Sequence, residues 1–505
     1  MLRSAIRTAT ITGAIVATSC VYDAPVTPTS KTITAATVVT SPSLQLTAGT
    51  AELGGRYLVV FKPGRTAGPD IKQELSANGG RLEGLHEQLG FAVVSGITAD
   101  AAARLAKSSA VSAVEADIEF AIEPVTAAEA LDVADLGVAS ATAPQTALLF
   151  ARQWNMRAIR ADAAWVAGSL GSSSVSVAIL DTGIDYRWPD LNGRVDLSRS
   201  ISLRPDEDAR QATWFGLLNL HHITDLNGHG SLVSAIVASN ATYFAGVTSR
   251  TTLIGVKVCS VFNTCSTAAT LYGIVYAVDN GADVINMSLG GAFLKSANPG
   301  FVSVINSVFN YANRRGVLIV VAAGNAAADI DHTGNVYFVY CNSPHVVCVS
   351  ATGPTAAPTS VGPFTNPDAV APYTNYGRSA ISLAAPGGGV TTLNAFVSGP
   401  CSQTALAWHQ PPAPTPGAPL PPPVIDGPFC PSNLGLFRLS GAGTSFSSPH
   451  VAGVAASLVA TLGHGNPAQI RAMLQQSADD LGDPGTDPFY GKGRVNAGRA
   501  LGALP

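Results

Sequence analysis

The chain has 505 residues and a formal net charge of −4, with 47% apolar and only 12% charged residues. This length is enough for more than one domain with a large core. The slightly acidic balance gives no electrostatic case for binding nucleic acid, which calls for a basic patch, so no nucleic-acid partner is expected.

The first twenty residues are typical of an export signal. Arg3 and Arg7 supply the positive end, and the apolar run that follows is too short to span a bilayer. The run ends at Cys20 in "ATSC", which resembles the lipobox of bacterial lipoproteins and would make Cys20 a lipid anchor. Removal of an ordinary secretory signal is the alternative. Both interpretations predict an exported chain, either extracellular or on the cell surface.

Three segments of different character follow the signal. Residues 21–55 are rich in Thr, Ser, Ala and Pro, which predicts a flexible tether. Within 56–123, the strands "RYLVVFKPG", "FAVVSGI" and "VSAVEADIEFAI" alternate with the helices "DIKQELSANGG" and "TADAAARLAKSSA". This β-α-β-α-β order predicts a small α+β domain. Residues 124–150 are Ala/Thr-rich, acidic and without periodicity, which predicts an exposed linker.

Residues 151–505 alternate apolar strands with helices. The strands "VSVAILD", "TLIGVKVC", "ADVINMSLGG", "VLIVVAAGN", "HVVCVSAT" and "ISLAAPGG" predict a parallel sheet covered by helices on both faces. Ligands of such sheets bind at the carboxyl ends of the strands. Residues 399–436 interrupt the pattern with many prolines, which predicts an extended, exposed loop that overhangs the site.

The cysteines fall into three local groups once Cys20 is set aside. Proximity suggests the pairs Cys259 with Cys265, Cys341 with Cys348, and Cys401 with Cys430, although six cysteines allow many connectivities. Scattered buried thiols are the alternative, but export to an oxidising compartment favours disulfides. The spacing gives no indication of a zinc site.

Four polar residues lie at predicted element ends. Asp181 follows the strand "VAIL", and Asn325 ends "VVAAGN". His229 lies between two glycines at a helix start, and Ser445 precedes the helix "SSPHVAGVAASLVATLG". Each alone suits an ordinary turn, cap or loop position. Together they supply a nucleophilic hydroxyl, a base, a carboxylate to orient that base and a donor for an oxyanion.

The motifs "VAILDTGID", "DLNGHGS", "GADVINMSLGG", "VVAAGN" and "GTSFSSPHVAG" resemble those of the subtilisin-like serine proteases, in the family's order Asp, His, Ser. The resemblance implies a subtilisin-like three-layer α/β fold and a serine endopeptidase that acts through an acyl-enzyme intermediate. It assigns orientation of the imidazole to Asp181, the general base to His229 and the nucleophile to Ser445. Asn325 and the Ser445 backbone N–H would form the oxyanion hole.

The resemblance also implies how substrates and the precursor are handled. Polypeptide substrates would bind as an extended strand. Six residues would contact them: Ser288, Leu289, Gly290, Ala322, Ala323 and Gly324. Residues 56–123 would be a propeptide that inhibits the same molecule until the chain cuts itself within 124–150. A monomer is expected.

The chain departs from the family pattern at three places. Ser231 and Leu232 replace the Thr and His that often follow the catalytic histidine, and Phe446 replaces the usual Met after the nucleophile. The loop that binds calcium in many members is shorter here. Asp368 and other carboxylates are the remaining candidates for a structural calcium site. The chemistry itself requires no cofactor.

Three other functions compete with the endopeptidase. The first is a catalytically silent surface or binding protein on the same fold, against which the complete set of four polar residues argues. The second is an α/β-hydrolase esterase, which favours the order Ser, acid, His. The third is a sedolisin-type enzyme, whose base is Glu rather than His.

Overall fold

A computed structural model describes residues 52–125, 127–130, 140–415, 418–430 and 437–505. The predicted export signal, Cys20 and most of the predicted tether lie outside these ranges. Within them, every helix is too short or too polar to cross a membrane.

The first described part is an antiparallel sheet with two helices on one face. Its elements are β1 (Glu52–Phe61), α1 (Pro69–Ala77), β2 (Arg81–His86), β3 (Phe91–Ser95), α2 (Ala99–Leu105) and β4 (Val111–Ala121). The strands are ordered β2-β3-β1-β4. Strand β2 is missing from the sequence prediction because Gly84 is its only fully buried residue, so it shows no apolar alternation. Strand β1 begins inside the segment predicted as a tether.

The two faces of this small sheet are buried against different partners. Val59 and Phe61 pack with Ile71 and Leu75 of α1 in a core of the small domain itself. Side chains point alternately to opposite faces of a strand, so Leu58 points the other way. It belongs to a cluster that includes Leu271 and Phe301, which lie on two helices of the main domain.

The main domain is built on seven parallel strands in the order β15-β14-β12-β10-β6-β8-β7. In chain order, the elements of this domain as far as residue 314 are β5 (Ala127–Ala130), α3 (Trp154–Ala158), α4 (Ala161–Val166), β6 (Ser176–Asp181), β7 (Ile201–Ser202), α5 (Pro205–Phe215), α6 (His229–Val237), β8 (Thr252–Lys257), β9 (Thr264–Ser266), α7 (Thr267–Asp279), β10 (Val284–Met287), β11 (Gly291–Leu294) and α8 (Pro299–Arg314). The remainder are β12 (Leu318–Ala322), β13 (Val336–Val339), β14 (Val346–Thr352), β15 (Leu383–Pro386), β16 (Val397–Pro400), β17 (Leu406–His409), β18 (Val424–Pro428), β19 (Phe437–Gly441), α9 (Thr444–Leu462), α10 (Pro467–Gln476) and α11 (Ala497–Ala500). The predicted parallel sheet is confirmed.

The proline-rich insertion is not the extended loop that its composition predicts. Strands β17 and β18 pair as an antiparallel hairpin, and the prolines lie mostly between them. The pairing segments "LAWH" and "VIDGP" carry the aromatic and β-branched residues that favour strands. The predicted linker is also structured in part, because β5 pairs antiparallel with β19.

Strand β4 of the small domain caps two helices of the main domain. Glu115 accepts hydrogen bonds from the backbone N–H groups of Gly300 (2.6 Å) and Phe301 (2.8 Å) at the start of α8. Asp117 accepts one from Ala268 (2.8 Å) at the start of α7. A carboxylate at a helix N-terminus satisfies unpaired donors and the helix dipole, so these contacts bind the two domains together.

Glu115→Ala should therefore destabilise the uncut chain by about 1 kcal/mol, the usual effect of losing an N-terminal cap. Thermal unfolding of the Ser445→Ala chain, with and without this second change, measures the loss. Gln73→Ala, on the exposed face of α1, is the control and should leave the melting temperature unchanged. Equal melting temperatures for all three proteins would contradict the capping role.

Candidate active site

Asp181 and His229 meet at the carboxyl edge of the parallel sheet. Asp181 ends β6 and His229 begins α6, and His229 Nδ1 lies 2.7 Å from Asp181 Oδ1. Both side chains are almost completely buried. A proton on Nδ1 donates to the carboxylate, which leaves Nε2 as the acceptor. Within the described residues Nε2 has no hydrogen-bond partner, so it is available as a base.

The pKa of His229 reflects two opposed effects. Burial lowers the pKa, but the charge of Asp181 and the hydrogen bond to it outweigh burial, and the net pKa is raised above 6.5. His450, five residues after Ser445, behaves in the opposite way. Burial lowers its pKa to about 4, so it is neutral and unsuited to accept a proton near neutral pH.

Each of the two glycines that flank His229 is required for a different structural reason. Gly228 has φ +105°, a left-handed conformation that other residues rarely adopt. A Cβ on Gly230 would lie 2.1 Å from the Gly183 carbonyl oxygen, so the helix start approaches the end of β6 too closely for any side chain. The two glycines thus set His229 against the sheet edge.

Asp225, which the sequence analysis did not single out, organises the segment before His229. Its Oδ1 accepts from Thr182 Oγ1 (2.9 Å) and from the backbone N–H groups of Asn227 (2.9 Å) and Gly228 (2.8 Å). Its Oδ2 accepts from the backbone N–H and Oγ of Ser231. Ser231 therefore keeps a hydroxyl function at the position where the family often has Thr. An Asp two residues before Asn-Gly is a signal for such a turn.

Ser445 lies in the first turn of α9 rather than before it, because the helix begins at Thr444, three residues earlier than the sequence predicts. Its Oγ donates to the Ser288 carbonyl oxygen (3.0 Å), and Ser288 Oγ donates back to the Ser445 carbonyl oxygen (2.6 Å). The serine is thus hydrogen-bonded to the segment after β10 rather than to His229. Phe446 is fully buried, with its ring centre 5.4 Å from that of His229, so it packs beside the imidazole.

Asn325 presents its amide nitrogen to the cleft. Its Oδ1 accepts from Thr444 N–H (2.8 Å) and Thr444 Oγ1 (2.9 Å), which fixes the amide beside the start of α9. The Nδ2 group is therefore directed away from Thr444. Its partner is the side chain of Glu123, the last residue of the predicted propeptide.

The six predicted substrate contacts lie at adjoining strand ends. Ser288, Leu289 and Gly290 follow β10, and Ala322, Ala323 and Gly324 end and follow β12, which pairs with β10. Asn375 Nδ2 donates to the Ala323 carbonyl oxygen (2.9 Å) and so supports this edge. The structure brings these residues to the same side of the sheet as Asp181 and Ser445.

Disulfides join the three pairs that sequence proximity suggests: Cys259–Cys265, Cys341–Cys348 and Cys401–Cys430. Asp368, the carboxylate considered for calcium, instead forms an ion pair with Arg494. Within the described ranges, no group of three or more His, Cys, Asp or Glu side chains is placed to hold a metal ion.

Comparison with known proteins identifies the family to which the chain belongs. The model of the Subtilase family (peptidase S8) matches residues 172–416 and 432–493, more than half of the chain. The chain is a member of the subtilase family.

Curated relatives and solved structures agree with this assignment. Thermitase of Thermoactinomyces vulgaris is 28% identical over 71% of this chain and 99% of its own length. Subtilisin Savinase of Lederbergia lenta is 29% identical over 68% of this chain and 96% of its own. The epidermin leader peptide processing serine protease of Staphylococcus aureus shares the fold, with a TM-score of 0.64 and 19% identity over 88% of this chain and 97% of its own. This subtilase is thus a subtilisin-like serine endopeptidase.

In this subtilase, Asp181→Asn should lower the pKa of His229. The charge of Asp181 and the hydrogen bond to it are the largest contributions that raise this pKa against burial, while Asp225 and Glu123 contribute less. NMR titration of the imidazole nitrogens in the Ser445→Ala chain measures the change. An unchanged His229 pKa in the double variant would show that Asp181 does not raise it.

Proposed function

We propose that this subtilase is an exported serine endopeptidase, made as a precursor that processes itself. Asp181, His229 and Ser445 act as its triad, and residues 56–123 inhibit the cleft within the same molecule until the chain is cut in 124–150. Asn325 Nδ2 and the Ser445 N–H form the oxyanion hole.

Each catalytic step assigns one role to each of these residues. The Ser445 hydroxymethyl group rotates away from the Ser288 carbonyl, and Oγ attacks the substrate carbonyl carbon while His229 Nε2 takes its proton. Asp181 stabilises the resulting imidazolium. His229 then gives the proton to the leaving amine, which leaves an acyl-enzyme ester on Ser445. Water, deprotonated by His229, hydrolyses this ester and restores the hydroxyl.

The observation that carries the proposal is the position of the chain's own residues 119–123. Strand β4 pairs antiparallel with β9, with Phe120 opposite Cys265, and the Ile122 N–H donates to the Asn263 carbonyl oxygen (2.8 Å). The next residue, Glu123, bonds through its side chain to Asn325 and lies near Gly443, just before Ser445. A polypeptide segment of the chain therefore pairs with β9 as an extended substrate would and reaches Asn325 and Gly443, two residues before Ser445.

Charged contacts hold this strand in place. Arg204 of the main domain pairs with Glu119 at 2.9 Å and, on its other side, with Asp206. Its guanidinium is nearly fully buried, so the pair is shielded from solvent. The Glu123 carboxyl is buried beside Asn325 and His229, and burial raises its pKa despite these two partners. The segment thus blocks the base and the oxyanion donor at the same time.

The alternative of a catalytically silent protein draws on one observation, the hydrogen bond of Ser445 Oγ to Ser288 rather than to His229. Catalytic hydrogen bonds are often absent before substrate binds and form only in the reacting complex. The paired Asp181 and His229 and the oriented Asn325 favour the enzyme.

Export draws support from the disulfides. Three are formed among the described residues, and such bonds persist in oxidising compartments outside the cytosol. A lipid anchor at Cys20, a structural calcium ion and a monomeric state stay predictions from the sequence.

Purified wild-type protein should release its N-terminal region on incubation, whereas Ser445→Ala should stay full length, because the nucleophile is missing. Intact mass and N-terminal sequencing follow the change. Ser447→Ala is the matched control: its hydroxyl is buried on the same helix without a partner among the described residues. Normal maturation of purified Ser445→Ala would exclude self-processing.

Asn325→Ala should reduce kcat by about 10²–10³ with little change in KM, since the lost donor acts on charge that develops in the transition state. Steady-state kinetics on a peptide anilide give both constants. The exposed Asn192, replaced by Ala, is the control. A change confined to KM would remove Asn325 from the oxyanion hole.

A further inference from the structure

The proline-rich insertion lines one side of a recess that lies beside the segment carrying His229. The recess has a volume of about 210 Å³, which suits a side chain rather than a whole small molecule. Leu406, Ala407, Trp408 and Phe429 line it from the insertion. Asn227 and Asn263 line it from the segments that carry His229 and hold Ile122, and none of these six side chains is charged.

The hairpin is fixed to the catalytic histidine's own loop. Ser402 Oγ and Thr404 Oγ1 both donate to the Asp225 carbonyl oxygen at 2.7 Å. The Leu406 N–H donates to the Leu226 carbonyl oxygen (2.8 Å). The Cys401–Cys430 disulfide closes the base of the insertion. Hydrogen bonds and a disulfide therefore hold the recess against the segment that carries His229.

Trp408 is held in position by an apolar contact under the hairpin. Its ring meets that of Phe262 edge to face, with centroids 5.4 Å apart. Leu226, Val261 and Leu406 form a buried cluster against which both rings pack. Such contacts pre-orient an aromatic wall before any ligand arrives.

Glu123 lies at Asn325 and beside Gly443, so the bond that follows it, at the border of the 124–150 segment, occupies the position of a scissile bond. The residues after Glu123 therefore show which part of a bound polypeptide reaches the recess. Pro124 and Val125 line it, and Val125 also packs against the main core cluster. Further on, β5 adds to β19 as an edge strand, with Ala128 opposite Leu439. Residues before Glu123 pair with β9, and residues after it follow the insertion.

We propose that the insertion hairpin forms a binding site for the part of the substrate that follows the scissile bond, and that Trp408 selects an apolar side chain there. This inference rests on the proposed function, since it assigns the substrate class of the same site. Burying a charged side chain against these uncharged walls costs free energy without a compensating partner. Substrates with an apolar residue one or two positions after the cut are thus preferred over those with an acidic one.

The test compares two kinds of substrate in wild type and Trp408→Ala. Peptide anilides carry only the aromatic amine of the leaving group after the scissile bond, so they present no amino-acid side chain for the recess to select. Internally quenched peptides continue beyond it, with Val, Gly or Asp at the first two positions. Wild type should cleave the Val peptides at least about tenfold better than the Asp peptides, in kcat/KM. Trp408→Ala should lose most of that preference and keep its anilide activity.

Two further variants sharpen the result. His409→Ala, the next residue of β17, removes an exposed ion pair with Asp426 and should leave both activities unchanged. Ala407→Asp adds a carboxylate to the recess and should shift the preference toward Lys and Arg.

An unchanged Val preference in Trp408→Ala, or an equal loss on anilides and long peptides, would overturn the proposal. If wild type failed to cleave either kind of substrate, the proposed function itself would fall.

Discussion

The geometry of the site depends on one buried carboxylate, Asp225. It accepts hydrogen bonds from Thr182 at the end of β6 and from the start of α6, so it fixes the distance between the strand that carries Asp181 and the helix that carries His229. Its backbone carbonyl accepts from the insertion. The Asp181–His229 pair and the recess beside it are thus parts of one hydrogen-bonded network.

Several kinds of contact hold strand β4 of the small domain against the main domain. Carboxylates of β4 cap α7 and α8, Glu119 pairs with the buried Arg204, and backbone pairing guides residues 119–122 along β9. The carboxylates accept hydrogen bonds from backbone N–H groups at the two helix starts, and Glu119 balances the positive charge of Arg204. In the proposed precursor, release of the small domain would expose helix ends and a buried cation, so a cut in the chain would not by itself separate the two domains.

Local pattern in the sequence was sufficient to predict the parallel sheet from its alternating apolar segments. It also predicted that Asp181 and His229 lie at element ends, whereas their catalytic roles stay proposals. It missed what depends on tertiary pairing: β2 lacks an apolar alternation, and β17 and β18 are hidden within a proline-rich composition. Asp225 was overlooked because its position before Asn227-Gly228 signals a turn, but not the hydrogen bonds that its carboxylate accepts from the distant Thr182 and from Ser231. That Glu123 reaches Asn325 follows only from the course of the folded chain.

The central claim is that Ser445 is the nucleophile and that the chain's own strand covers it before processing. Labelling with a fluorophosphonate probe, followed by peptide mapping, tests both parts on the purified protein. The account predicts a single adduct on Ser445 that forms slowly on the intact chain and much faster once the N-terminal region has been released. An adduct on another residue, or equal labelling rates before and after release, would contradict it.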